Sequence, residues 1–222
     1  MPGSESQPHR TMPKDLRMRV EPFEHYVERY EAWFEVHRQE YEAELAAVRA
    51  CLPDRGHGLE VGVGTGRFAA PLGVGFGVEP ALAMARKAHR RGIRTVLGTA
   101  EALPFGDGTF DYLLMVTTIC FLNDPVKALD EARRVLRRPG RLILGFVDRE
   151  SSLGRRYEQG KDASPFYSVA VFYTPAEVTS LLQQTGFRVR EWKQTLLSSK
   201  EAGSVVPGVG EGGFVVCSAE PA

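Results

Sequence analysis

Leu59-Glu60-Val61-Gly62-Val63-Gly64-Thr65-Gly66-Arg67-Phe68 joins a short apolar run to alternating glycines and then to the start of a helical pattern. Glycine lacks a Cβ, so it takes positive φ without steric cost and lets a ligand lie on bare backbone. Where a helix begins, unpaired N–H groups face the same ligand. The stretch therefore reads as the loop between a parallel strand and its crossover helix, shaped to cradle a nucleotide-like molecule. Its spacing narrows the choice. The dinucleotide pattern G-x-G-x-x-G requires glycine at position 67, but this chain has Arg67 there and its third glycine one place early, at Gly66. That residue argues against a nicotinamide-dependent oxidoreductase. Glu60, at the loop entrance, suits a ligand with an amino group and a positive centre better than one with a pyrophosphate.

Outward from the loop, strand and helix patterns alternate. Pro53, Arg55, Gly56 and Gly58 break a preceding helix and lead into the loop's strand. A second strand near Gly75 to Val78 ends in Glu79-Pro80, and a helix with Ala81, Met84, Ala85 and Ala88 follows. A third strand, Thr95 to Leu97, leads into Gly98-Thr99-Ala100-Glu101-Ala102-Leu103-Pro104-Phe105. Phe110 to Val116 is a near-continuous apolar run, the pattern of a central strand buried on both faces. Asp124-Pro125 opens a helix over Val126 to Leu136, and Pro139-Gly140 turns the chain into a fifth strand, Arg141 to Val147. This order predicts an α/β fold, a Rossmann-like doubly wound and mostly parallel sheet. Beyond it, Glu150 to Tyr173 is polar with scattered aromatics, so residues 150–173 are read as a lid-like insertion. A helix at Pro175 to Thr185 and strands at Phe187 to Leu197 and Gly213 to Ala219 complete the domain, with an antiparallel C-terminal strand. At the other end, residues 1–20 are rich in Pro, Ser and charge and read as a flexible tail. Residues 21–52 read as an N-terminal helical cap whose Tyr26, Tyr30, Trp33, His37 and Tyr41 recur on one stripe. Residues 21–222 are thus expected to form a single domain.

Composition limits the partners. In 222 residues, 28 Lys and Arg balance 28 Asp and Glu, which offers no electrostatic case for nucleic acid or an anionic membrane. A small-molecule partner is expected instead. Cys51, Cys120 and Cys217 are isolated and lack C-x-x-C spacing, against a disulfide framework or a metal site. No apolar run approaches the roughly 20 residues that span a bilayer. The expected location is the cytoplasm, and the oligomeric state, monomer or homodimer, stays open.

The E-V-G-V-G-T-G stretch resembles the first motif of the class I S-adenosylmethionine-dependent methyltransferases. Thr99 to Phe105 is similar to that family's segment after strand three, G-D-A-E-x-L-P-F, departing from it at Thr99. Arg137-Arg138-Pro139-Gly140-Arg141-Leu142 is similar to its R-V-L-x-P-G-G-x-L signature, with Gly140-Arg141 replacing the paired glycine. Taken in order, these motifs resemble the small-molecule branch of the family, the branch of the quinone-biosynthesis enzymes. The resemblance implies S-adenosylmethionine as cofactor, held by Glu60, Gly62, Gly64 and Gly66. It places Glu79 on the ribose hydroxyls, Pro80 and Met84 near the adenine, and Thr99, Ala100 and Glu101 along the adenine edge. Val116 and Thr117 become walls of the methyl-transfer pocket. The implied activity is in-line methyl transfer to a small acceptor; the alternative is a module that binds S-adenosylmethionine or S-adenosylhomocysteine without turnover.

The acceptor side carries less signal. Family N-terminal helices cover the substrate mouth, which makes Tyr30 and Trp33 pocket candidates and His37 a candidate base; a packed histidine on an aromatic stripe is the competing reading. Many relatives carry a histidine pair where this chain has Cys120-Phe121. Cys120 is therefore expected as a small apolar wall rather than a nucleophile, and Tyr157 is expected to reach the pocket from the insertion. Arg67 either pairs with the methionyl carboxylate or faces solvent.

Overall fold

β4 (Phe110–Val116) is apolar because it lies between two parallel neighbours, β1 (Gly58–Val61) and β5 (Leu136–Val147). Its residues alternate between two cores, as strand geometry requires. Leu113 and Met115 pack with α6 (Pro125–Val135) and α8 (Pro175–Gln184), through Ala128, Leu129, Val178 and Leu182. Tyr112, Leu114 and Val116 face the opposite way, toward Phe34, Ala47, Val48 and Phe68. Helices on both faces make the sheet doubly wound.

The computed structural model describes residues 14–197 and 203–222. Among them, β2 (Phe76–Glu79), β3 (Arg94–Leu97), β6 (Phe187–Leu197), β7 (Val206–Pro207) and β8 (Gly212–Pro221) complete a sheet of order β3-β2-β1-β4-β5-β8-β6-β7. β1 to β5 are parallel, and β8 runs antiparallel between β5 and β6. The Rossmann-like expectation with an antiparallel C-terminal strand is therefore met. Strand order reverses between β1 and β4, and the crevice at the carboxyl ends of these strands is where such folds hold ligands. α5 (Leu82–Arg90) returns the chain from β2 to β3. Asp124 caps α6 by accepting the Lys127 N–H at 3.0 Å, with Pro125 in the first turn. Such a cap contributes about 1 kcal/mol and sets the start of the helix.

Four local features differ from the expectations. The N-terminal helix α1 starts at Lys14 (Lys14–His25), inside the stretch read as tail; residues 1–13 of that stretch lie outside the described residues. The cap is three helices, α1, α2 (Val27–Val36) and α3 (Arg38–Arg49), because Tyr26 and His37 leave helical geometry. Residues 150–173 contain a helix, α7 (Ser152–Gly160), capped by the Ser151 hydroxyl. Finally, β5 starts at Leu136 rather than Arg141, since Leu136 pairs with Phe110 before an irregularity restores register at Tyr112 and Arg141.

Candidate active site

The glycine loop sits at the end of β1, and the N–H groups of Gly62 and Val63 donate to the Val78 carbonyl at 2.9 and 3.0 Å. Gly64 adopts φ +54 and walls a cavity of about 300 Å³. A Cβ at that position would stand 3.1 Å from the Tyr30 hydroxyl, so the loop presents backbone where any other residue would present a side chain. Gly62 lines the same cavity. Gly66 does not. Its missing Cβ would meet Ile93 Cδ1 at 2.4 Å, so Gly66 lets the loop pack on the core and is not a ligand contact. Glu60 is likewise set behind the loop, 2% exposed and off the cavity wall. Burial pushes its carboxyl well above the usual range, and the Ala69 N–H opposes that push from the start of α4 (Ala69–Leu72). The Glu60 Oε2 is sealed from solvent without a hydrogen-bond partner among the described residues.

Glu79 ends β2 and lies on the cavity wall. Oε2 accepts the Gly64 N–H at 2.8 Å and Oε1 the Ala81 N–H at 2.9 Å. A carboxylate oxygen accepts two hydrogen bonds, so each retains a lone pair for a hydroxyl. Burial raises this carboxyl to about 7, against the pull of the Ala81 and Gly64 donors. Pro80, Thr99, Ala100 and Glu101 wall the same end. Glu101 also accepts the Asn123 N–H at 3.0 Å, tying the loop before α6 to this segment. Met84 is displaced from the expected adenine contact: it is fully buried inside α5 and does not reach the cavity. Val116 and Thr117 close the floor. Thr117 holds φ +50, uncommon for a β-branched residue, while its N–H donates to the Gly145 carbonyl at 2.8 Å. Such strain costs about 1–3 kcal/mol and concentrates where a site dictates backbone shape.

The other half of the cavity is aromatic. Tyr30, Trp33 and Tyr157 line it, joined by Phe23, Phe34, Phe121, Phe166 and Tyr167. Phe23 packs against Phe121 and Phe166 at 5.0 and 5.2 Å between ring centroids, and Tyr157 stacks on Tyr167 at 5.0 Å. Cys120 stays outside, beside a separate small void; its thiol donates to the Thr117 carbonyl at 3.3 Å and burial pushes it up to about 12. His37 also lies outside the cavity. The helix break at this residue turns it outward, where the ring stacks on Trp33 and its side chain is 43% exposed beside Glu40. Arg67 takes neither expected role, because its guanidinium pairs with Glu31 and Glu35 at 2.7 and 3.0 Å.

Sequence reasoning missed Glu44. It lies on the cavity wall at 6% exposure and has no hydrogen-bond donor bound to it among the described residues. The signal was present: Tyr41, Glu44, Val48 and Cys51 are spaced three, four and three apart, so a carboxyl stands on a core stripe. Phe23 and Phe166 carried no such signal, since only packing brings α1 and residues 164–169 together.

The cap is latched to the sheet domain by charge. Glu31 of α2 receives Arg91 Nη1 at 3.1 Å and Arg67 Nη2 at 2.7 Å, Glu28 pairs with Lys87 at 2.7 Å, and Glu24 accepts the Ala83 N–H at 3.1 Å. Burial alone would raise the Glu31 carboxyl, but the hydrogen bonds from Arg91 and Arg67 outweigh it and hold it down at about 2. Glu31→Gln is expected to lower stability by about 1–2 kcal/mol at neutral pH, discounted for the partial exposure of both guanidinium groups. A depressed carboxyl contributes above its ordinary value of 4.5 and loses that contribution as pH falls toward about 2. Urea unfolding at several pH values checks this: the gap between the two proteins closes across that acid window.

These residues fit a sulfonium nucleoside. Bare backbone at Gly64 leaves room for the aminoacyl arm, Gly62 lets the loop pack against Thr118 at the cavity edge, and the buried Glu79 carboxyl suits a ribose diol. Comparison with known proteins agrees. Residues 59–144 match the methyltransferase domain family. The chain is 41% identical over 201 residues to an uncharacterized protein of Methanocaldococcus jannaschii, covering 89% of this chain and 98% of that one. It is 29% identical over 169 residues to the malonyl-[acyl-carrier protein] O-methyltransferase of Methylococcus capsulatus, covering 71% of this chain and 61% of that relative. A crystal structure from Thermotoga maritima, described as a SAM-dependent methyltransferase and possible histamine N-methyltransferase, superposes with a TM-score of 0.87 at 48% identity, covering 91% of this chain and 99% of that one. Agreement of that extent, over the loop and both halves of the sheet alike, places this chain in the class I S-adenosylmethionine-dependent methyltransferases.

Proposed function

We propose that the protein transfers the methyl group of S-adenosylmethionine to a small-molecule acceptor bound in the aromatic half of the cavity. The observation that carries this reading is the continuity of one cavity, from Gly64 and Glu79 at the strand ends to Trp33, Tyr157 and Tyr167 under the cap. The cofactor supplies an already activated methyl group on a sulfonium. What remains for the protein is placement, and holding two reactants in line is worth several kcal/mol of barrier. Gly62, Gly64 and Glu79 fix the donor end, Val116 and Thr117 bound the space between, and the aromatic rings exclude water from the acceptor end. Histamine, the acceptor in the Thermotoga relative's description, falls in the size class proposed here.

Calorimetry with S-adenosylhomocysteine, followed by methyl-transfer assays on small acceptors, tests the reading. Tight binding with methylated product supports it, and absence of binding by folded protein overturns it. Binding without product from any acceptor would favour a cofactor-binding module instead. Glu79→Ala is expected to weaken S-adenosylhomocysteine by about 1–3 kcal/mol through lost hydrogen bonds to the ribose and lost support of Gly64. Wild-type affinity in that variant would contradict the ribose assignment.

A further inference from the structure

α3 puts a carboxyl where the aromatic rings would otherwise close the cavity. Glu44 lies on the buried stripe with Ala43, Ala47 and Val48, is 6% exposed, and lines the cavity. Burial raises it, with a smaller contribution from Glu40, and no donor pulls it back. Glu79, equally buried, is served by two backbone N–H groups. The Glu44 oxygens are not sealed in the protein but open on the cavity, where a carboxylate whose charge is penalised by burial gains from a cationic partner.

The field in the cavity indicates the sign of the missing partner. After burial, the nearby carboxyls raise the phenols of the cavity's own tyrosines: Glu60, Glu79, Glu31 and Glu44 act on Tyr30, and Glu44 acts on both Tyr157 and Tyr167. Burial, the larger cause, penalises any charge in this chamber, and the carboxyls add to that penalty for an anion such as a phenolate while offsetting it for a cation. Among the described residues, two cationic side chains reach the wall, Arg19 and Arg29. Arg19 is committed to the Val169 carbonyl at 3.0 Å, and Arg29 is exposed. Trp33, Tyr157 and Tyr167 line the same cavity, and aromatic faces attract ammonium groups.

We propose that Glu44 recognises the ammonium group of a small amine acceptor and takes its proton ahead of methyl transfer. The proposal rests on the methyltransferase reading above. Paired with the ammonium, Glu44 is ionised; accepting the proton gives a neutral carboxyl, the form its burial favours, and frees the nitrogen lone pair. That pair forms the N–CH3 bond as the S–CH3 bond breaks, with the bonding electrons passing to sulfur. The product is the N-methylated ammonium, and S-adenosylhomocysteine leaves neutral at sulfur. A carboxyl held up to about 8 is matched to this proton exchange near neutral pH.

The test uses the full chain loaded with S-adenosylhomocysteine and three probes of like size: phenethylamine, 4-ethylphenol and 3-phenylpropionate. Calorimetry is expected to show phenethylamine binding and neither of the others. Glu44→Gln should weaken phenethylamine by about 30-fold or more, since one partner of a buried charge pair is lost, while leaving S-adenosylhomocysteine affinity unchanged. Glu44→Asp should recover part of the amine binding. In turnover with S-adenosylmethionine, the same substitution should cut kcat/KM for the amine. Preference for the phenol or the carboxylate, no amine binding, or wild-type amine affinity in Glu44→Gln overturns the proposal. Failure of the wild-type protein to bind S-adenosylhomocysteine would instead overturn the methyltransferase reading, so the two outcomes are distinguishable.

Discussion

Gly64→Val is expected to abolish cofactor binding, with S-adenosylhomocysteine affinity falling by about 100-fold or more. Two independent effects add at this residue. At φ +54, a β-branched side chain is strained whatever surrounds it. The added Cβ would also stand 3.1 Å from the Tyr30 hydroxyl and project its methyl groups into the cavity. Relief by backbone rotation would break the Gly64 N–H bond to Glu79, the carboxyl proposed to hold the ribose. Gly73→Val provides the control. Gly73 also has positive φ, at +73, but a Cβ there meets nothing within 4 Å. That variant should lose stability and keep cofactor affinity. Calorimetry alongside thermal melts separates the two effects, and wild-type affinity in Gly64→Val would remove the loop from the site.

Glu44→Gln is expected to stabilise the cofactor-free protein at alkaline pH. The Glu44 carboxyl is raised from 4.5 to about 8 in the folded chain. Below 4.5 it is protonated whether folded or not, and folding incurs no penalty. Between 4.5 and about 8 the unfolded chain releases the proton and the folded chain keeps it, so stability falls as pH rises, and above about 8 the loss is complete. Glutamine mimics the protonated form throughout. The variant should match wild type near about pH 4.5 and exceed it by a few kcal/mol near about pH 9. Glu60 and Glu79 are raised as well, but they are present in both proteins and cancel in the difference. Urea unfolding across this range is the measurement. Equal stability at alkaline pH would mean that Glu44 ionises freely in the folded state.

The cofactor half of the site was legible in one dimension because its chemistry is local. Gly62 and Gly64 follow directly from β1, Glu79 closes β2, and Thr99 to Glu101 follow β3, so each residue is delivered to the same sheet edge by its own strand. Where local reading failed, the deciding contact came from elsewhere in the chain. Gly66 has the same backbone requirement as Gly64, but Ile93 occupies the space beside it. Met84 has the right spacing on α5 and the wrong side of it. His37 belongs to the aromatic stripe only if one helix runs unbroken, and the break at His37 between α2 and α3 turns it out.

What the linear chain determined by itself is the parallel sheet, its switch point and the backbone seat for the cofactor, because alternating hydrophobicity and glycine placement act within a few residues of one another. Tertiary structure decided how the aromatic chamber closes. Phe23, Glu44 and Phe166 lie far apart in sequence and line one cavity, with ion pairs from Glu28 and Glu31 holding the cap on α5 and its flanking turn. Burial then turns an ordinary surface-type carboxyl, Glu44, into a partnerless group in a low-dielectric site, a property that no residue carries until its surroundings have been built.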